Sequence, residues 1–415
     1  MRTNKVARIG RNINRSLARL APARMSKALP RTMRFALEAL IPRRASTDRP
    51  PRPGLSPSLF AHVAMDETIM AAAMGPNRFP RSSDYPRVAL ELEDAHDHFR
   101  RKGWIDDPRS YHRSPPVLRD PLLIPGMTIL GQHFEKLMFE SGFEPHAGEP
   151  GGERWHSYVP NHIAHAWVLR HDDDVARPWV VCVHGFGMGI PVADFVGFRA
   201  GHLHKDLGYN VVMPVLPLHG PRKVTPLGGE AFISFDLLNG VIGMAHAVWD
   251  MRRLLSWIAT QNPASVGMYG VSLGGYTTAL TAGFVGDLDF VLTGIPVADL
   301  LALYRAHAPR HVMRRAEEHG IFSDETDSVL AVARPTTFPA LVDHDRLFMY
   351  AGIGDRMAMP EQAHTLWKHW EEPRIEWYPG NHVGYMWSGD VRRFVDEVLT
   401  THSAGGGDTR GLYVA

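Results

Sequence analysis

Cysteine is almost missing from this chain: Cys182 is the single one in 415 residues, so no intramolecular disulfide can hold the fold. Stability must come from a packed core, and a 44% hydrophobic and 21% charged composition is that of an ordinary globular protein. A long uninterrupted apolar run is also missing. The most apolar window, "WVVCVHGFGMGIPVADFVGF" from Trp179, is broken by glycines, a proline, His184 and Asp194. It fits a buried strand followed by a glycine-rich loop better than a membrane span. Arginines interrupt the N-terminus before any secretory h-region forms, so neither a signal peptide nor a transmembrane helix is expected. The expected location is cytoplasmic, with peripheral membrane contact as the alternative to a fully free protein.

Acidic residues are scarce at the N-terminus. Residues 1–53 hold 14 of the 45 Lys and Arg but only Glu38 and Asp48 among the acids, +12 there against −11 for the remainder. In this basic arm Val6, Ile9, Ile13, Leu17 and Leu20 recur at helical steps, and after Pro22 and Pro30 so do Met33, Leu37, Leu40 and Ile41. A basic segment with an apolar edge suits an anionic membrane surface, through residues 1–41; the alternatives are a flexible arm or an organelle-targeting peptide. Nucleic acid is not the expected partner, because the arm lacks aromatics and the body is acidic. Oligomeric state is not legible.

Residues 45–57, "ASTDRPPRPGLSP", read as a linker. An N-terminal helical extension is expected over 54–130, from "SLFAHVAMDETIMAAAM" and "VALELEDAHDHFRRKGW". From 131 to 402 apolar strand candidates alternate with helical patterns: 134–140, 153–159, 163–170, 178–185 and 209–220, then "SVGMYGVS", "LDFVLTGIPVAD", "RLFMYAGIGD" and "RIEWYPGNH". That rhythm predicts an α/β fold, a mostly parallel sheet with helices on both faces. The end, 403–415, is expected to be a flexible tail.

The chemistry centres on "VGMYGVSLGGYTTAL", residues 266–280, where Gly-X-Ser-X-Gly joins a strand to a helix. A serine on such a turn projects from the carboxyl edge of the sheet, where open α/β folds bind ligands. The helix that follows favours an oxyanion at its N-terminus. Ser272 is therefore the candidate nucleophile. Other tempting residues carry less: Cys182 lies mid-strand as a small core residue, the pairs His96/His98 and His202/His204 do not share a helix face, and "HDDD" at 171–174 is a solvated turn. No metal and no other cofactor is expected.

With these motifs the chain resembles the α/β-hydrolase superfamily, in its serine esterase and lipase-like branch, over about 160–400. The resemblance implies an acid after the next-but-one strand, which falls on Asp355 in "RLFMYAGIGDRMAMP", and a histidine one helix and one strand later, which falls on His382 in "RIEWYPGNHVGY". Asp355 has a second reading as a helix cap before Pro360, with Asp343 or Asp345 as substitute acids. The loop in "VVCVHGFGMG" is similar to the oxyanion loops of lipases and esterases, which implies the backbone N–H groups of Phe186 and Leu273 as donors. Each such donor is worth roughly 3 kcal/mol of barrier. A small helical cap is expected at about 300–340. Candidate substrate contacts are His184, Tyr304 and Arg222, the last either binding a substrate carboxylate or phosphate or holding a structural ion pair.

The implied function is a serine hydrolase that cleaves small-molecule or lipid-like carboxylic esters through an acyl-enzyme, with Ser272, His382 and Asp355 as triad. The alternatives are an acyltransferase using the same triad, other acyl hydrolases such as peptidases and thioesterases, and a non-catalytic, membrane-associated scaffold. Acyl chain length and leaving group are not legible.

Overall fold

The computed structural model of the protein describes residues 21–41, 48–73 and 79–403. The apolar steps from Val6 to Leu20 and nearly all of the expected tail lie outside the described residues.

Among the described residues, nine strands form one sheet in the order β1-β2-β3-β5-β4-β6-β7-β8-β9. They are β1 (Leu122–Pro125), β2 (Glu135–Glu140), β3 (Ile163–Leu169), β4 (Pro178–Val183), β5 (Asn210–Val215), β6 (Ser265–Val271), β7 (Phe290–Gly294), β8 (Leu347–Gly352) and β9 (Arg374–Tyr378). β1, β2 and β3 pair antiparallel, as does β3 with β5, and every pairing from β5 through β4 to β9 is parallel. Parallel strands need covered faces, and β4 shows why its run is apolar throughout. Trp179, Val181 and Val183 enter one hydrophobic cluster while Val180 and Cys182 enter another, since successive side chains point to opposite faces. This is the α/β-hydrolase architecture that the motifs imply.

Among the described residues three helices of more than two turns precede the sheet: α1 (Ala21–Leu40), α2 (Pro57–Ala73) and α3 (Asp84–Lys102). On α3 the buried Tyr85, Val88, Leu92, Ala95 and Phe99 follow helical steps, and Gly103 ends it with a positive φ of 78° that an L side chain rarely adopts. α1 runs through Pro30 and lays Phe35 against Leu59 and Val63 of α2. Of the apolar stripe read from the sequence, Met33, Leu37, Leu40 and Ile41 are exposed, as is Leu29, while Thr32, Phe35 and Ala39 are buried.

Two local expectations are corrected. The segment 153–159 is not a strand: α4 (Gly152–His156) and a 3₁₀ turn at Val159–His162 occupy it. Trp155 anchors that turn, its indole N–H donating to Nδ1 of buried His246 at 3.2 Å, a tertiary contact that overrides the aromatic and β-branched pattern. Conversely, 54–130 is not helical to its end. β1 pairs with β2 at the sheet edge, where a strand bounded by Pro121 and Pro125 is tolerated.

The remaining described α-helices are α5 (Pro191–Gly197), α6 (Ala200–Lys205), α7 (Leu237–Ala259), α8 (Leu273–Ala282), α9 (Leu300–His307), α10 (Arg310–Glu318), α11 (Asp324–Ala331), α12 (Pro360–His369) and α13 (Gly389–Thr401). α9, α10 and α11 fill the interval between β7 and β8. There α3 supports them: the Arg315 guanidinium lies 5.0 Å from the centre of the Tyr85 ring, which also stacks on His319.

Candidate active site

Ser272 stands between the end of β6 and the start of α8, at φ 57° and ψ −117°. That strained conformation is held by its own N–H donating to Gly294 at 2.9 Å. The glycines around it are there because backbone passes too close for side chains. A Cβ on Gly274 would lie 1.8 Å from the carbonyl oxygen of Val183, and one on Gly270 would lie 2.2 Å from that of Gly274.

The loops after β8 and β9 bring the other two residues to it. The Ser272 hydroxyl donates to Nε2 of His382 at 2.9 Å, and the Nδ1–H of His382 donates to Oδ2 of Asp355 at 2.7 Å. The second oxygen of Asp355 accepts the N–H groups of Met357 and Ala358, at 2.8 and 2.9 Å, which fixes the carboxylate's orientation. Met359 occupies the cap position before Pro360, not Asp355. Asp343 and Asp345 lie before β8, at the opposite end of that strand from Asp355. Burial works against the His382 imidazolium, but the charge and hydrogen bond of Asp355, with Asp66 beyond it, outweigh this and raise its pKa above the ordinary value. A hydroxyl bonded to an imidazole that is bonded in turn to a buried carboxylate can lose its proton as it attacks a carbonyl.

Phe186 and Leu273 flank the serine. Leu273 is the first residue of α8, so its N–H is among the first-turn donors with no intrahelical acceptor. Phe186 follows Gly185, where a Cβ would lie 3.3 Å from the Cβ of Ser272. Two buried groups brace this loop. The N–H of Leu216 donates to Nε2 of His184 at 3.0 Å, which places the ring proton on Nδ1, where it donates to the Gly185 carbonyl at 2.8 Å. Burial pushes His184 down to about 3, so it stays neutral. Asp194 accepts from Gly189 N–H at 3.0 Å and Trp167 Nε1–H at 3.1 Å, and burial lifts its carboxyl to about 7. His184 thus acts on the loop's backbone.

Arg222 belongs to the ion-pair alternative, and the substrate-binding reading is corrected. Its side chain is 1% exposed and donates to Asp250 at 2.9 Å and to the carbonyls of Val215 and Asn161, both at 3.0 Å. The reason is positional: Arg222 ends a 3₁₀ turn at Gly220–Arg222 that folds the side chain inward under α7 instead of toward the serine. Tyr304 does border open space. With Tyr276 from one turn beyond Ser272, Leu300, Leu301, Phe232 and Val241 it lines a narrow crevice.

The sequence reasoning missed Asp66, on α2. It is fully buried, and its carboxylate accepts from the N–H of His382 and of Arg356, both at 2.9 Å, and from Nδ2 of Asn381 at 2.8 Å. The signal available was an acid set in the middle of the apolar helical run "SLFAHVAMDETIMAAAM". Among the described residues no cluster of His, Cys, Asp and Glu suits a metal ion, and no helix is long and apolar enough to cross a membrane.

No family model matches the sequence. It is 39% identical over 351 residues to an uncharacterized protein of Mycobacterium tuberculosis strain CDC 1551 / Oshkosh, a match that covers 82% of each chain. It is 38% identical over 351 residues to an uncharacterized protein of strain ATCC 25618 / H37Rv, again over 82% of each. Among solved structures, an acetyl xylan esterase from Paenibacillus sp. R4 aligns with 77% of this chain and 97% of its own at 14% identity and a TM-score of 0.49. Acetyl xylan esterase 1 from Thermoanaerobacterium sp. JW/SL YS485 aligns with 72% of this chain and 93% of its own at 15% identity and a TM-score of 0.48. The chain belongs to the same family as the two mycobacterial proteins.

Proposed function

We propose that this family member is a serine hydrolase that cleaves carboxylic esters through an acyl-enzyme on Ser272. The observation that carries the reading is the unbroken chain Ser272–His382–Asp355, with contacts of 2.9 and 2.7 Å, on a serine in strained backbone geometry. Ser272 Oγ attacks the acyl carbonyl as its proton passes to Nε2 of His382, and the N–H groups of Phe186 and Leu273 receive the oxyanion. The tetrahedral intermediate collapses, the C–O bond to the alcohol breaks, and the leaving oxygen takes the proton from Nε2. Water then adds to the acyl-serine with His382 again as base, which releases the carboxylic acid and restores the serine.

The crevice bordered by Tyr304, Leu300 and Leu301 has an apolar wall that favours an apolar acyl group, with Ser234 and the Asp299–Arg334 ion pair as the polar and charged part of its lining. A fluorophosphonate probe tests the reading without knowledge of the substrate. Adduct at Ser272, lost in His382→Ala, supports it; a folded protein left unmodified overturns it. A chain-length panel of esters, run with and without an added alcohol, then separates hydrolysis from acyl transfer.

A narrower proposal concerns α1. Its exposed row Leu29, Met33, Leu37 and Leu40, in an arm of net positive charge, supports contact with an anionic lipid surface. Vesicles containing phosphatidylglycerol should retain the full chain and release a variant with these four residues changed to Ser. Equal retention of both removes the proposal.

A further inference from the structure

Asp66 does not belong to the sheet or to either loop that carries His382 and Asp355, yet it is bonded to both. Oδ2 accepts the backbone N–H of Arg356, next to Asp355, and the backbone N–H of His382 itself, each at 2.9 Å. Oδ1 accepts Nδ2 of Asn381, next to His382, at 2.8 Å. One carboxylate therefore spans two loops that come from different strands, and charge-assisted bonds of this kind are the stronger ones.

The contacts around it form a clamp. The adjacent Glu67 pairs with the Arg356 guanidinium at 3.2 Å and, at 3.5 Å, with Arg31 of α1. The Arg356 guanidinium also lies 5.7 Å from the centre of the Phe35 ring of α1. The helix approaches so closely that a Cβ on Gly354 would lie 2.5 Å from Cδ1 of Leu59, and one on Gly380 would lie 3.4 Å from Nδ1 of His62.

We propose that Asp66 is a positioning residue for the catalytic centre, and that α1 and α2 through it form part of the working site. It rests on the Ser272–His382–Asp355 reading. Bonding two loops from one carboxylate fixes the separation of Asp355 and His382, on which the tautomer and aim of the imidazole depend. Its negative charge also favours the imidazolium that forms when Ser272 gives up its proton. The titratable and charged groups around Asp66 are His62 and Glu67 on α2, Arg31 on α1, Asp355 and Arg356 after β8, and Tyr378 and His382 at and after β9. Burial first, and then the charge of Asp355, lift the Asp66 carboxyl to about 6, while its N–H donors and His382 act in the opposite sense.

The test uses the full chain with Asp66→Asn and Asp66→Ala, each checked for folding by circular dichroism and thermal melting. The readouts are kcat and KM on a soluble short-chain ester and the fluorophosphonate labelling rate, all against pH. Expected are a kcat about tenfold to a hundredfold lower with KM little changed, and an acid limb displaced to lower pH in both readouts. Wild-type protein that is never labelled would sink the underlying reading. Wild-type protein that is labelled, with folded variants whose kcat and acid limb match it, would sink only the role of Asp66. Should Asp66→Asn not fold, Asp66→Ala carries the test; failure of both to fold would assign Asp66 to fold stability and overturn the proposal.

Discussion

Gly274 and Val183 stand closer than any side chain allows: a Cβ on Gly274 would lie 1.8 Å from the carbonyl oxygen of Val183. The turn that carries Ser272 and the end of β4, which leads into the loop of Gly185 and Phe186, are thereby packed backbone to backbone. Serine position and loop position are one geometric fact.

Gly274→Ala is therefore expected to force β4 and α8 apart. Overpacking against backbone costs about 1–3 kcal/mol or more, because no rotamer change can relieve it. Chemical denaturation should show the loss of stability, and labelling of Ser272 should fall even where the variant is folded. A variant as stable and as reactive as wild type would contradict the close approach.

Asp355→Asn keeps the shape of the acid but not its charge. Because the Nδ1–H of His382 points at Oδ2 of Asp355, the amide favours the wrong tautomer, and kcat on a soluble ester should fall about 10⁴-fold. Asp343→Asn, outside the bonded chain, should change kcat little. Steady-state kinetics on both variants checks the assignment of the acid.

The pH profile follows from His382. In the proposed mechanism it must be neutral to accept the serine proton, and its pKa lies above the ordinary 6.5. The acid limb of kcat/KM is expected to have its midpoint above pH 6.5, with activity rising as pH rises through it. A midpoint at or below 6.5 would contradict the outweighing of burial by the carboxylates.

His219 gives a stability counterpart. Its Nδ1–H donates to the Pro217 carbonyl at 2.8 Å, its Nε2 is buried without a partner, and burial pushes it down to about 4. A depressed base contributes stability above the unfolded pKa of 6.5 that is lost as pH falls toward 4. The stability advantage of wild type over His219→Phe should thus shrink by up to about 3 kcal/mol between pH 7 and pH 4. Urea unfolding of both proteins across that range measures it.

Arg222 and Asp250 form a buried pair, so Arg222→Ala leaves an uncompensated carboxylate. It should destabilise the fold by about 3–5 kcal/mol while KM of the folded fraction stays unchanged. A raised KM with stability intact would return Arg222 to the substrate.

Much of the site is legible in the sequence because each part is announced by a local pattern. Ser272 lies between a strand and a helix, and the resemblance points to Asp355 after the apolar β8 and to His382 after the mixed-polarity β9, each beyond the strand's carboxyl end. The apolar runs of β4, β6 and β8 are equally plain, since a strand buried on both faces has no polar positions to alternate. What misled was local pattern without its context. "RWHSYV" alternates like a strand, but Trp155 is claimed by His246 of α7. Arg222 sits where a substrate contact would be expected, but Asp250, one helix away, draws it inward.

The sequence by itself determined the α/β alternation and the strand–serine–helix turn at Ser272, because these rest on periodicity and on neighbours in the chain, while Asp355 and His382 were reached through the resemblance to the α/β-hydrolase superfamily. Only the tertiary structure decided which polar groups meet across it: Asp66 with His382, 316 positions apart, and Arg222 with Asp250. A buried charge is tolerated only where partners converge on it, and convergence is a property of packing that no local window contains.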